Sequence, residues 1–230
     1  MNKNVYILFS LFLLLAFNES SAQFAKPVSV GFGGGGTILH GDLQEKPVSY
    51  AGHLEVDYLI TPYITVGVHG EAGRLKGDDF YGKNTDNKYY TVNGNIKVRA
   101  GQFLGNPDNY SYFILSDNSF KSFISNVYIG AGVGFISNDI TAHRRYSGVD
   151  IVPSFQGVDQ SDELIIPLNV GVDIPLGQSL YGPTWAINLN YQHSFSMDDN
   201  LDGYKNDFSK YNDHYGYFSL GVKIALFNRR

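Results

Sequence analysis

Cysteine is missing from this 230-residue chain. Its absence excludes a disulfide framework, a thiolate metal site, a cysteine nucleophile and a lipidated cysteine. Positive charge is also scarce: 17 Lys and Arg stand against 22 Asp and Glu, a formal net charge of −5. With no basic excess and no basic patch, no nucleic-acid partner is expected. Beyond the first two dozen residues the sequence also lacks any apolar run of the ~20 residues that a membrane-spanning helix needs.

The N-terminus does carry a shorter run. Lys3 precedes an apolar stretch from Val5 to Phe17, and Ser20 and Ala22 are small residues at the −3 and −1 positions of a cleavage site. Residues 1–22 are therefore expected to be a secretory signal peptide, and 23–230 the mature unit. Export without disulfides suits a bacterium. It also disfavours a dinucleotide-binding reading of Gly31-Phe-Gly-Gly-Gly-Gly36, which has the spacing G-x-G-x-x-G with Glu55 near the ribose-binding distance. The residues after Gly36, Thr-Ile-Leu-His-Gly-Asp-Leu, have no helical period, so the helix that the fingerprint requires is not expected.

What the chain has in abundance is period two. Tyr50, Gly52, Leu54, Val56, Tyr58 and Ile60 alternate with Ala51, His53, Glu55, Asp57 and Leu59. The same alternation marks segments at 64–72, 90–98, 127–135, 163–174, 185–192 and 217–226, and with Val28–Leu39 the count is eight strands. The polar faces are rich in Asn, Thr, Ser, Gly and single charges of both signs, where a soluble barrel would present long charged side chains to water. Aromatic residues fall near strand ends on the apolar face: Tyr50, Tyr90 and Phe195 toward one rim, Tyr58 and Trp185 toward the other. Such girdles belong to membrane interfaces. The expected fold is all-β: an eight-stranded antiparallel transmembrane β-barrel, with strands of roughly ten to thirteen residues. Closure satisfies every backbone group in lipid.

In that barrel Gly31, Gly33 and Gly35 point inward and Val30, Phe32 and Ile38 face lipid. Glu55, Asp57, Glu71 and Asp173 share the inward face with Lys97, Arg99, Lys223, His53 and His69, and are expected to pair into a plug. The connections after strands one, three, five and seven are read as about 9, 13, 25 and 17 residues and placed on the outer side. On the opposite side the turns are short except Gly101–Ser122. That connection is read as a folded-over loop, with a short helix or a partner-binding surface as the alternative.

Several segments resemble a known group: Thr37–Leu43 after the glycine-rich strand, Arg74–Asp79, Ile165–Ile174, Ser196–Tyr204 and Asn212–Phe227. Together they look like the small outer-membrane β-barrels of Bacteroidota, most similar to the PorG-like barrels associated with type IX secretion, with OmpA-like barrels as near relatives. The resemblance implies a bacterial outer-membrane protein without enzymatic activity, a structural or accessory component of an envelope or secretion complex. Outer-membrane lipid and envelope proteins are its implied partners. No peptidoglycan-binding domain is expected after the last strand.

Other chemistries stay open. A small porin-like channel or ligand-binding barrel is the alternative, and a barrel lipase built on His193 and Ser194 a further one, although neighbouring strand residues point to opposite faces. Asp198-x-Asn200-x-Asp202-Gly203 has the first half of a calcium loop, but Ser209 stands where the bidentate Glu belongs. Asp207 or Asp213 would have to replace it. Arg144-Arg145, Lys121 and Arg229-Arg230 are candidates for anionic lipid. No catalytic, cofactor or metal residues are assigned.

Overall fold

The computed structural model describes residues 27–40, 45–78, 83–104, 112–114, 118–146, 149–150, 160–176, 183–198, 201 and 213–226. The expected signal peptide lies outside them. The strands are β1 (Val28–His40), β2 (Ser49–Leu59), β3 (Ile64–Asp78), β4 (Lys83–Arg99), β5 (Val127–Tyr146), β6 (Val149–Asp150), β7 (Gln160–Leu176), β8 (Trp185–Ser196) and β9 (His214–Leu226). β1 pairs with β2 and β9, and β4 pairs with both β3 and β5, so the sheet order β4-β3-β2-β1-β9-β8-β7-β5 closes on itself. All pairings are antiparallel, and no barrel strand keeps a free edge. The two-residue β6 only extends the end of β5. Eight strands therefore form the closed antiparallel barrel that the alternation predicts.

The barrel is inside out. Phe32, Leu54, Val56, Val68, Val92, Ile96, Ile129, Val133, Phe135, Leu168, Val170, Phe218 and Leu220 are exposed, whereas His53, Glu55, Asp57, Lys97, Arg99, Asp173 and Lys223 are buried. A continuous apolar belt of this kind is not tolerated in water. Its surroundings are hydrocarbon, and the polar lumen is where a soluble protein keeps its core. No helix among the described residues is long and apolar enough to cross a membrane, which says nothing of strands. The girdle aromatics fall as expected: Tyr50, Tyr90 and Phe195 are exposed toward one end, Tyr58 and Trp185 toward the other.

The end bearing the β1–β2, β3–β4, β5–β7 and β8–β9 connections is here the loop end, and the opposite end the base. At the loop end the strands run longer than expected, up to 20 residues in β5. The β3–β4 connection consequently shrinks from about 13 residues to residues 79–82. Polarity inverts as these strands leave the belt. Leu75, Tyr89 and Ile136 turn inward and are fully buried, while Lys88 and Asp139 face out and Arg74 bonds Asp86 across the hairpin at 3.1 Å. An alternation followed with apolar residues outward ends where the medium changes from lipid to water.

The glycine run sits mid-strand in β1, which continues as strand from Gly36 to His40 where the fingerprint needs a helix, so it is not a phosphate turn. Its function is space. A Cβ at Gly31 would lie 2.8 Å from Glu55 Cγ and 3.0 Å from Lys223 Cγ, and one at Gly33 2.8 Å from the His53 ring. These glycines let two large charged side chains cross a narrow lumen.

Candidate functional site

The lumen is built in three layers. At the loop end Leu39, Leu75, Tyr89, Ile136, Ile165, Tyr215 and Tyr217 pack with Leu201, which descends from the β8–β9 connection. The Leu201 backbone is held by Asp213 Oδ2, which accepts from its N–H at 2.9 Å, and by Asn87 Nδ2, which donates to its carbonyl at 2.9 Å. Below this lid Glu71 accepts from the Tyr89 hydroxyl and from Gln192 Nε2 at 3.2 Å, with His69 Nε2 at 3.7 Å. His53 Nδ1 is 2.8 Å from the Tyr217 hydroxyl.

The middle layer holds three acids and three cations. Lys97 Nζ lies 2.6 Å from Glu55 Oε2 and 2.9 Å from Asp57 Oδ2. Lys223 Nζ reaches Glu55 Oε1 at 2.8 Å, and Asp57 Oδ2 and Asp173 Oδ1 at 3.4 Å each. Arg99 Nη2 completes the set, 3.2 Å from Asp173 Oδ2. Neutral groups add to the set: Asn188 Nδ2 donates to Asp173 Oδ1 at 2.8 Å, and both lysine ammoniums lie over the Tyr128 ring, at 5.4 and 5.2 Å. Burying six charges is costly unless each is matched and hydrogen-bonded. Here the sum is zero.

The base is closed by the connection between β4 and β5. A 3-10 turn (Ala100–Phe103) follows β4, and α1 (Ser119–Ser125) precedes β5. Between them Tyr112, Phe113 and Ile114 insert into the barrel and are buried. The Tyr112 hydroxyl donates to Asp57 Oδ2 at 2.7 Å, its carbonyl accepts from Arg99 Nη1, and its ring lies 4.2 Å from the Arg99 guanidinium. Asn126 holds the insert by accepting from Ile114 N at 3.0 Å and donating to Ile114 O at 2.7 Å. Leu59, Ala186 and Ala225 complete this apolar floor.

The lumen constellation is thus assembled largely as the alternation implies, with two corrections. Glu71 does not share the cationic cluster but belongs to the tyrosine layer above it. Glu163, also inward and buried, is an additional acid and accepts from Ser161 Oγ at 3.0 Å and from Ser196. Its place in the β7 alternation was the signal for it. Tyr112 had no such signal, because the connection that carries it has no period. The long connection does hold a short helix, and it folds into the barrel as well as over it.

His193 and Ser194 lie on opposite faces of β8. Ser194 is fully buried and accepts from Gln192 Nε2 at 3.1 Å, whereas His193 sits outside at the rim, 3.1 Å from the Tyr191 hydroxyl. There His40, His193 and His214 form an edge-to-face ring cluster. The pair is not a nucleophile and its base. Among the described residues no three His, Asp or Glu side chains are placed to hold a metal ion. Of the calcium-type loop only Asp198, Leu201 and Asp213 are described; Asn200, Asp202, Gly203, Asp207 and Ser209 lie outside, as do Arg229 and Arg230. Arg144 and Arg145 fall in the far part of β5, where only the backbone is described. Lys121 is exposed on α1.

No protein-family model and no curated protein matches the chain. Solved structures similar to it include the Neisserial surface protein A, at 12% identity and TM-score 0.49, covering 86% of this chain and 97% of that one. The attachment invasion locus protein Ail of Yersinia pestis is similar at 13% identity and TM-score 0.47, covering 87% and 99%. The outer membrane enzyme PagL is similar at 11% identity and TM-score 0.35, covering 86% and 99%.

Proposed function

We propose that this barrel is a non-enzymatic outer-membrane scaffold, a structural or accessory component of an envelope complex. One observation carries the reading: across the middle of the described lumen three buried acids and three buried cations neutralise one another, with the Leu201 layer above and Tyr112 below. A conducting pore needs charges that face water and exchange partners, whereas these are buried and bound to one another in a single network. Function then falls to the ends, where loops carry recognition on a rigid frame. At the loop end a cleft of about 450 Å³ opens beside Lys88, Tyr90, Asp139, Gln160 and Asp162. The motif resemblance to PorG-like barrels makes the type IX secretion apparatus the complex to test first.

The test is recovery of partners from native outer membrane with a tagged full-length chain. Shortening residues 147–159 spares β5 and β7, so the barrel should still shift its gel mobility on heating while partner recovery is lost. Unaltered recovery, or conductance of the purified protein in a planar bilayer, would refute the scaffold reading and favour the channel. Removing Pro107–Phe120 is not an equivalent test, because it takes the Tyr112 floor with it.

A further inference from the structure

The helix at the base has the same inverted polarity as the strands. α1 is capped by Asn118, whose side-chain oxygen accepts from Phe120 N at 2.9 Å and Lys121 N at 3.4 Å. Its protein-facing side is polar: Ser122 and Ser125 are buried, and Ser122 Oγ donates to Ile114 O at 3.1 Å. Its outward side is aromatic, with Phe120 70% and Phe123 43% exposed. Residues three apart share a face of a helix, so the two serines and the two phenylalanines form opposite stripes. A helix lying against water would be turned the other way.

The adjoining 3-10 turn adds Phe103 and Leu104, also exposed. In the chain this apolar surface leads directly into β5, one of the strands that carry the lipid-facing belt. α1 runs into β5 through Asn126, so Phe123 stands four residues before Val127 and six before the exposed Ile129. Lys121, exposed between the two phenylalanines in sequence, has a stem long enough to carry its ammonium from the acyl boundary to the phosphate level.

We propose that α1 and the 3-10 turn form an interfacial anchor, with Phe103, Phe120 and Phe123 lying in the phospholipid leaflet at the base of the barrel and Lys121 meeting headgroup phosphate. The connection that plugs the lumen is thereby pinned on its other side by lipid, as amphipathic helices are at a membrane surface. The inference rests on the membrane setting of the barrel. The chain's single tryptophan, Trp185, provides the control for that setting, because it lies exposed at the same end.

The experiment uses the full chain in phosphatidylcholine vesicles whose acyl chains carry bromine near the headgroup. Quenching of native Trp185 by the brominated lipid establishes insertion. Two variants then report on the helix, Phe123→Trp and Phe120→Trp, each with Trp185→Phe. The proposal expects at least twofold quenching of each new tryptophan by brominated lipid and little by aqueous iodide. Quenching by iodide and not by bromine, with Trp185 still quenched by bromine, would overturn the anchor while leaving the barrel intact. Shielding from iodide in native membranes but not in vesicles would assign this face to a protein partner and equally overturn it.

Discussion

Removing Lys97 from the lumen tests the neutral-plug reading most directly. In Lys97→Met the volume stays similar while Glu55 and Asp57, at 2.6 and 2.9 Å, lose a common cation. Two acids against Lys223 and three acids against two cations then leave one uncompensated charge in a layer that is almost wholly buried. An opposite charge at ~3 Å is worth about 5 kcal/mol at an effective dielectric near 20. Lys97 also gave up its hydration and is repelled by Lys223, so the net loss should approach the roughly 3–5 kcal/mol seen when one partner of a buried pair is stripped. Adding Glu55→Gln restores neutrality and should recover about 2 kcal/mol or more, because the two sites share one network. The assay is urea unfolding in lipid vesicles, followed by Trp185 fluorescence and by heat-modifiable gel mobility. A single variant within 1 kcal/mol of the wild type, or a double variant less stable than the single, would refute the reasoning.

The remaining expectations are simpler. Cysteine placed at Leu168 or Leu220, both exposed, should react with a lipid-soluble reagent and resist an aqueous one, whereas cysteine at the buried Asn169 or Ser219 should resist both; aqueous labelling at Leu168 in the inserted protein would contradict the barrel's polarity. Tyr112→Phe deletes the 2.7 Å bond to Asp57 and keeps the ring, so unfolding in urea should show a loss of about 1–3 kcal/mol with no change of fold. Gly31→Val forces a side chain against Glu55 and Lys223 and should lower the heat-shift temperature far more than Gly34→Ala, whose added carbon meets only a backbone oxygen at 3.2 Å.

Strand faces were legible in the sequence because lipid and lumen impose opposite demands on neighbouring residues. A position such as Leu54 between His53 and Glu55 admits only one orientation in hydrocarbon. The same logic explains where legibility stopped. Past Ala72 in β3 and before Tyr90 in β4 the outside is water, so the apolar Leu75 and Tyr89 lie inward while Arg74 and Lys88 lie outward. A pattern scored with one fixed sign reads that stretch as loop. Tyr112 and Leu201 were invisible for another reason: each is an isolated residue in a connection, and its burial depends on the barrel being there to receive it. The inward charges were readable as a set, but not their division, since which acid meets which base follows from strand order around the barrel.

Lys223 carries a consequence for how the barrel closes. It lies on β9, the last of the described strands, whereas the carboxylates it meets are on β2 and β7. While β9 is still missing, Glu55, Asp57 and Asp173 confront only Lys97 and Arg99, and β1 and β8 still lack a neighbour. Docking of β9 supplies the third cation and removes both open edges in one step. A sheet without β9 therefore carries a surplus negative charge that hydrocarbon penalises, so charge balance is coupled to closure of the sheet. Closure of the barrel and neutralisation of its interior thus meet in one ammonium group, which contacts three carboxylates from two other strands.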